Sequence, residues 1–314
     1  MAPSNPPRDH HYIPQFMLRE WAVDAGKLWR YSKPVPNKFA AKRVSTGAIG
    51  FEPFLYEVPG ETPDKAQQVE SRFMSSVDQS AAKAHQILLG NKDWSWTSIT
   101  RSGWSRFILS LWIRTPASVQ AYKAAIASLW GTTAPEIAAK YAELRKPEDP
   151  ERFEDHMIAR DPRIVEKVAM YLLQKSIDHA KVGERINNMK WTTLTLADAP
   201  IDFLVSDSPV MSTNGLAGKD AHIVMPVSPR RAFIAFNHDS TFETLQRVRE
   251  LDFVKHSNKL VVQRARHFVG ATRDDQRAFV AKHIGTAPVP TITELIAHKY
   301  AEDAAALETA ISGS

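Results

Sequence analysis

The chain contains no cysteine, which excludes a disulfide framework, a thiolate metal site and a cysteine nucleophile together. Any nucleophile or ligand must come from Ser, Thr, His, Asp, Glu, Lys or water. Glycine is scarce, at 13 of 314 residues. No Gly-rich phosphate loop, HExxH pair, GxSxG elbow or EF-hand loop occurs, which disfavours nucleotide-cradling folds and the familiar hydrolase signatures. Long apolar runs are missing too. The longest, Phe107 to Ile113 with Ser110 inside it, falls far short of the roughly 20 residues a membrane helix needs, so no membrane partner is expected. The opening MAPSNPPRDHH has neither an apolar stretch of signal-peptide length nor an Arg-rich amphipathic segment, which makes a cytoplasmic location the default expectation. No charge of one sign dominates. A net charge of +5 is mild for this length and permits an anionic partner, nucleic acid included, without demanding one.

What is present is ordinary globular material, 43% hydrophobic and 24% charged, enough for one large core. Residues 1–9 are Pro-rich and polar and are expected to fray. From His11 the stretch HYIPQFMLREWA reads as a short Pro-initiated helix. KLWRYS alternates as a strand, residues 33–50 read as a loop, and a second short strand is expected at 53–58. Between 63 and 187 the period is helical. The first of these helices, 63–89, places Val69, Phe73, Val77, Ala81, Ala84 and Leu88 three or four residues apart. From Trp191 the period becomes alternating, and WTTLTL followed by IDFLVSDSPV is read as a hairpin. HIVMPV and AFIAFN flank a turn at Ser228 to Arg231, 242–265 reads as a helix, HFVGAT as a last strand, and 274–283 and 292–311 as terminal helices. The expected fold is α+β and mainly α: one domain over 1–314, with long helices packed around a small antiparallel sheet formed by strands from both ends of the chain. Its parts are a helical middle (63–187), a sheet-rich part (190–271) and C-terminal helices (274–314).

Several polar residues stand where chemistry is plausible. His10 and His11 sit at the expected entry to the first helix, where partial positive charge favours the neutral imidazole of a base or metal ligand; capping and solvation are the plain alternative. Glu70 projects into an apolar arc of about 140° at 100° per residue. A carboxylate there must meet a cation, a metal or strong donors, or take up a proton. Asp78 and His85 lie on the flank of the same stripe, where solvation accounts for them. Arg114 closes an apolar helix immediately before Thr115-Pro116 and is a natural partner for Glu70, or a clamp for phosphate or carboxylate. The run Phe203 to Val210 delivers Ser206, Asp207 and Ser208 into a turn held by Pro209, although such side chains also stabilise turns by bonding their own backbone. Arg230, Arg231, Arg247, Arg249, Arg264 and Arg266 concentrate late in the chain as an anion-facing surface or a solvated face.

HHYIPQFMLREW, the VE pair on the long helix, IRTP at 113–116, FLVSDSPV at 203–210, MPVSPR at 225–230 and HSNKLVVQRARHFVG together resemble the Domain of unknown function 4238 family over nearly the whole chain. The most specific parts are H-x-x-P-Q-F-x-L-R and the F-x-x-S-D-x-P turn. Ser208 before Pro209 departs from the family's bulkier or Asn-containing turn. The resemblance implies that His11, Pro14, Gln15, Glu70, Arg114, Asp207, Pro226 and Asn258 match landmarks, and it supplies no activity. It groups His11, Glu70, Arg114, Asp207 and Asn258; His11, Glu70, Arg114 and Asp207 are the candidate catalytic residues, and Gln15 and Asn258, with Arg230 and Arg231 of the late basic cluster, the candidate binding residues. If His11, Glu70 and Asp207 converge, they suit a divalent metal such as Mg, Mn or Zn, whose bound water would attack a phosphodiester. The leading expectation is a metal-dependent, nuclease-like hydrolase. A non-catalytic nucleic-acid- or protein-binding regulatory or defence module is the alternative. A third reading makes the polar set a buried network that specifies the fold.

Overall fold

A computed structural model describes residues 8–290, apart from 36, 37, 67, 92, 94, 214 and 289. Of the stretch 1–9 expected to fray, residues 1–7 lie outside the described residues while Asp9 opens a strand; the expected helix 292–311 lies outside the described residues. The N-terminal part comprises β1 (Asp9–His11), α1 (Gln15–Leu18), β2 (Lys27–Val35), β3 (Lys38–Ser45) and β4 (Phe51–Pro53). Both adjacent histidines are thus in a strand, paired antiparallel with β4, and not at a helix entry as expected. Pro14, at φ −66° and ψ 145°, separates that strand from α1, in keeping with its fixed φ and missing donor. The expected loop over 33–50 is largely β3, whose exposed, Lys-rich sequence conceals an edge strand.

The helical middle is α2 (Pro63–Ala66), a π-helical turn (Val69–Met74), α3 (Ser75–Leu88), α4 (Ser98–Ile113), α5 (Pro116–Leu129), α6 (Pro135–Leu144), α7 (Phe153–Arg160), α8 (Ile164–Ile177) and α9 (Ala180–Asn188). Thr97 caps α4 through a reciprocal capping box with Thr100. Thr115 caps α5 with Pro116 at its first position, so the Thr-Pro pair is a true helix boundary. The π turn resets the apolar stripe. Met74 and Val77 enter the core while Phe73 is only partly buried. At Gly103 a Cβ would lie 2.9 Å from the Ser80 Cβ, which is what lets α3 and α4 approach closely.

The remainder is β5 (Lys190–Thr195), β6 (Val205–Ser206), β7 (Met211–Ser212), β8 (His222–Ser228), β9 (Arg231–Phe236), α10 (Asp239–Gln246), α11 (Glu250–Arg264), β10 (Val269–Ala271) and α12 (Arg277–His283). One antiparallel sheet has the order β3-β2-β10-β6 and a second β5-β9-β8-β7. The first joins strands from both ends of the chain, as expected. The hairpin expected over 191–210 does not form. β5 pairs with β9, whereas β6 pairs with β10, because 196–204 carries the chain from one sheet to the other. Trp21 links these regions, its indole N–H donating to the Phe203 carbonyl at 2.7 Å. The fold is α+β with helices predominating.

Candidate functional site

The site begins at the turn after β1. The backbone N–H groups of Tyr12 and Ile13 both donate to the Gly50 carbonyl, at 2.8 and 3.0 Å. Gly50 has φ +71°, and a Cβ there would stand 3.1 Å from the Ile13 Cβ and carbonyl oxygen, so glycine is required to hold this turn. The turn fixes two histidines in opposite senses. His10 is fully buried, accepts the Tyr56 N–H at its Nδ1 (3.1 Å) and stacks on the Tyr56 ring. His11 is half-buried, its ring hydrogen-bonded to the Asp9 carbonyl, and its Nε2 lies 3.4 Å from the Gln15 Nε2. With Nε2 accepting from Gln15, Nδ1 carries the proton shared with Asp9. Burial, reinforced by the nearby Arg114 charge, lowers the His11 pKa, so the ring is neutral at pH 7.

The backbone N–H of His11 donates to the Glu70 carboxylate, tying β1 to the π turn. Such turns arise inside helices and concentrate at functional sites. The Glu70 carbonyl accepts both the Ser75 backbone N–H and, at 3.0 Å, the Ser75 hydroxyl, which fastens the widened turn. In an ideal helix, Glu70 and Asp78 would lie about 80° apart in projection. The wider π turn reduces that offset and brings both carboxylates to Arg114. Burial, and then the like charge of Asp78, push the Glu70 pKa up to about 7 against the attraction of Arg114. Its Oε2 is buried without a hydrogen-bond partner. Burial also raises the Asp78 pKa, with Arg114 opposing.

Arg114, at the C-cap of α4, is 0% exposed and donates from Nη1 to Asp78 Oδ1 at 2.7 Å. Its guanidinium lies 5.2 Å from the Phe107 ring centroid, and its carbonyl accepts the Tyr56 hydroxyl at 2.9 Å. Nε and Nη2 are buried and have no hydrogen-bond partner. The direct ion pair is therefore with Asp78; Glu70, the expected partner, acts on Arg114 electrostatically. Two open donors on a buried guanidinium beside a proton-retaining carboxyl and a neutral imidazole can stabilise negative charge and exchange protons.

The other expected site residues serve elsewhere. Asp207, 3% exposed, accepts the backbone N–H groups of Arg266 and His267 at 2.8–3.1 Å, so both its oxygens pin the chain before β10. Among the described residues no three His, Asp or Glu side chains are grouped to hold a metal ion. The expected ligand set of His11, Glu70 and Asp207 is thus not assembled, and the donor set does not fit a divalent metal. Asn258 is buried and accepts the Leu204 N–H while donating to the Asp202 carbonyl and Gln276. Arg230 ties down carbonyls at 196, 197 and 199. Arg231 donates to the Leu88 carbonyl at the end of α3. These three hold backbone in place. His85, expected to be solvated, is 1% exposed, donates from Nε2 to the Val227 carbonyl at 2.8 Å and packs near Trp104 and Phe16. Burial lowers its pKa to about 4. It is a core histidine.

Residues 9–275 match the family described as Protein of unknown function (DUF4238). The chain belongs to this family. The match runs from β1 to the residues just before α12 and so includes every side chain of the cluster. No curated protein and no solved structure matches the chain. Among the described residues no helix is long and apolar enough to cross a membrane.

Asp78 as the partner of Arg114 and the participation of Tyr56 were not legible in the sequence, whereas His10 stood out there only as one of an adjacent histidine pair. Asp78 had a usable signal, since it shares the helix of Glu70, but the π turn that aligns the two leaves no mark in the apolar period. Tyr56 had none.

Proposed function

We propose that the protein is a hydrolase that cleaves a phosphodiester by general acid–base catalysis, with the aspartate of its polar cluster being Asp78. The observation that carries this reading is the buried Arg114 with two open donors beside Glu70, whose pKa lies at about 7. Neutral His11 takes a proton from the attacking water as the water oxygen forms its bond to phosphorus. Glu70, in its protonated form, gives its proton to the leaving oxygen as that P–O bond breaks. Arg114, held by Asp78, stabilises the charge developing on the phosphoryl oxygens, and burial in a low-dielectric surrounding strengthens this effect. The Asp9 carbonyl holds the proton on Nδ1 and so leaves Nε2 as the basic atom, which the attacking water reaches by displacing the 3.4 Å contact of Gln15. Nucleic acid is the natural polymer carrying such bonds, and the net charge of +5 favours its approach.

The test is hydrolysis of bis(p-nitrophenyl) phosphate and of single-stranded oligonucleotides by the wild type, Glu70→Gln, His11→Asn and Arg114→Lys. Each substitution should lower kcat by about 100-fold or more with the fold intact by circular dichroism. No cleavage by the wild type, or cleavage that survives all three substitutions, overturns the reading. Destabilisation by the same substitutions without any activity would instead identify a structural ion network.

A further inference from the structure

The opposite side of the π turn from Glu70 carries a second feature that the acid–base cluster does not use. A cleft of about 650 Å³ opens between the 58–76 segment and α8, with Arg106 of α4 also on its wall. That volume is in the range of small-molecule sites. Its charge is unbalanced. Five cations in and around it, Lys65, Arg72, Arg106, Arg163 and Lys167, meet three carboxylates, Glu61, Asp161 and Asp178.

The carboxylates are shared unevenly. Arg106 is held bidentately by Asp178, at 2.5 and 3.0 Å, and its guanidinium lies 4.7 Å from the Phe73 ring centroid. Lys167 and Arg163 are both tied to Glu61 and Asp161. The side chains of Lys65 and Arg72 are exposed and make no hydrogen bond or ion pair with any described residue, although Lys65 lies close enough to act on Glu61. The surplus of two positive charges among these residues is therefore carried by Lys65 and Arg72. Arg106 and Lys167 line the same cleft, each paired with carboxylates.

The cleft also has an apolar wall. The π turn places Val69 and Phe73 there, facing Met170 and Tyr171 of α8. Phe73 is displaced from the core by that turn while Met74 takes its place. Phe73 packs against the edge of the core on one side and under the Arg106 guanidinium on another, and its remaining exposed part faces the cleft.

We propose that this cleft binds a phosphomonoester with an organic body, such as a nucleoside monophosphate. A phosphomonoester carries close to two negative charges at neutral pH, which matches the two spare cations, and Arg72 presents a planar fork suited to bidentate phosphate contact. The organic part packs on Phe73, Val69 and Met170. The site is separate from the acid–base cluster and does not depend on the proposed hydrolysis.

Isothermal titration of the full chain with AMP, adenosine and inorganic phosphate tests this, with the wild type, a Lys65→Gln/Arg72→Gln double variant and Glu70→Gln. AMP should bind with a dissociation constant below about 1 mM and more tightly than phosphate, and adenosine should not bind. The double variant, its melting temperature within a few degrees of wild type because both side chains are exposed, should lose about 10-fold or more in affinity. Glu70→Gln should bind AMP as the wild type does, even if it has lost all hydrolytic activity. Absence of AMP binding, equal binding of adenosine, equal binding of inorganic phosphate, or an unaltered double variant would each overturn the proposal.

Discussion

Replacing Glu70 with glutamine should change how stability depends on pH, and the size of the change follows from the site. The Glu70 carboxyl titrates near 7 in the folded chain against an ordinary value of 4.5. Burial and the neighbouring Asp78 charge outweigh the pull of Arg114. An acid that holds its proton more tightly when folded costs nothing below the unfolded value and costs progressively more as the pH rises from 4.5 to 7. A shift of this size corresponds to about 3 kcal/mol at pH 8. The glutamine side chain has no such titration, so the difference in unfolding free energy between variant and wild type should grow in favour of the variant by about 2–3 kcal/mol from pH 4 to pH 8. His85 works in the opposite direction. Its pKa is lowered to about 4, so its contribution is present above 6.5 and is lost as the pH falls toward 4. It is common to both proteins and cancels in the difference. Urea midpoints at five pH values, with slopes checked for constancy, give the comparison. A flat difference, or one that favours the wild type at alkaline pH, would mean that Arg114 satisfies the Glu70 carboxylate, and the acid role would fail.

Other expectations bear on positions assigned to framework or to the turn below the site. Asp207→Asn should destabilise the fold by about 1–3 kcal/mol, since it weakens a buried acceptor of two backbone N–H groups, while leaving kcat per folded molecule near the wild-type value; a selective loss of kcat would return Asp207 to the catalytic set. Asn258→Ala strands the Leu204 N–H and removes the donor to Gln276 Oε1, while the Asp202 carbonyl keeps its bond from Gln276 Nε2, and should cost about 1–3 kcal/mol in denaturant unfolding. Gly50→Ala combines a left-handed φ with a 3.1 Å contact and should lower both the melting temperature and the activity, because the turn that carries His11 must shift.

The helical middle was readable because its apolar period is long and regular, and the Thr115-Pro116 boundary because its chemistry is local. β3 was hidden, since an exposed edge strand rich in Lys and Arg lacks an alternating apolar face. The false hairpin over 191–210 shows the limit of adjacency: both segments are strands, but their partners, β9 and β10, lie far along the chain. Within the site, Glu70 and Arg114 stood out because a charge against an apolar face demands an explanation. Asp207 stood out as a carboxylate delivered by a strand into a Pro-held turn, yet its oxygens are taken up by the backbone of 266 and 267, which only tertiary structure reveals. Asp78 was the reverse case, a flanking carboxylate drawn into the cluster by a π turn.

The pH dependence of phosphodiester cleavage tests the acid–base assignment most directly. The wild type should give a bell, rising as His11 loses its proton below pH 6.5 and falling near pH 7 as Glu70 loses its own. The descending limb should be absent from the residual activity of Glu70→Gln. A wild-type profile that climbs steadily through pH 8, or a descending limb that persists in Glu70→Gln, would contradict that assignment.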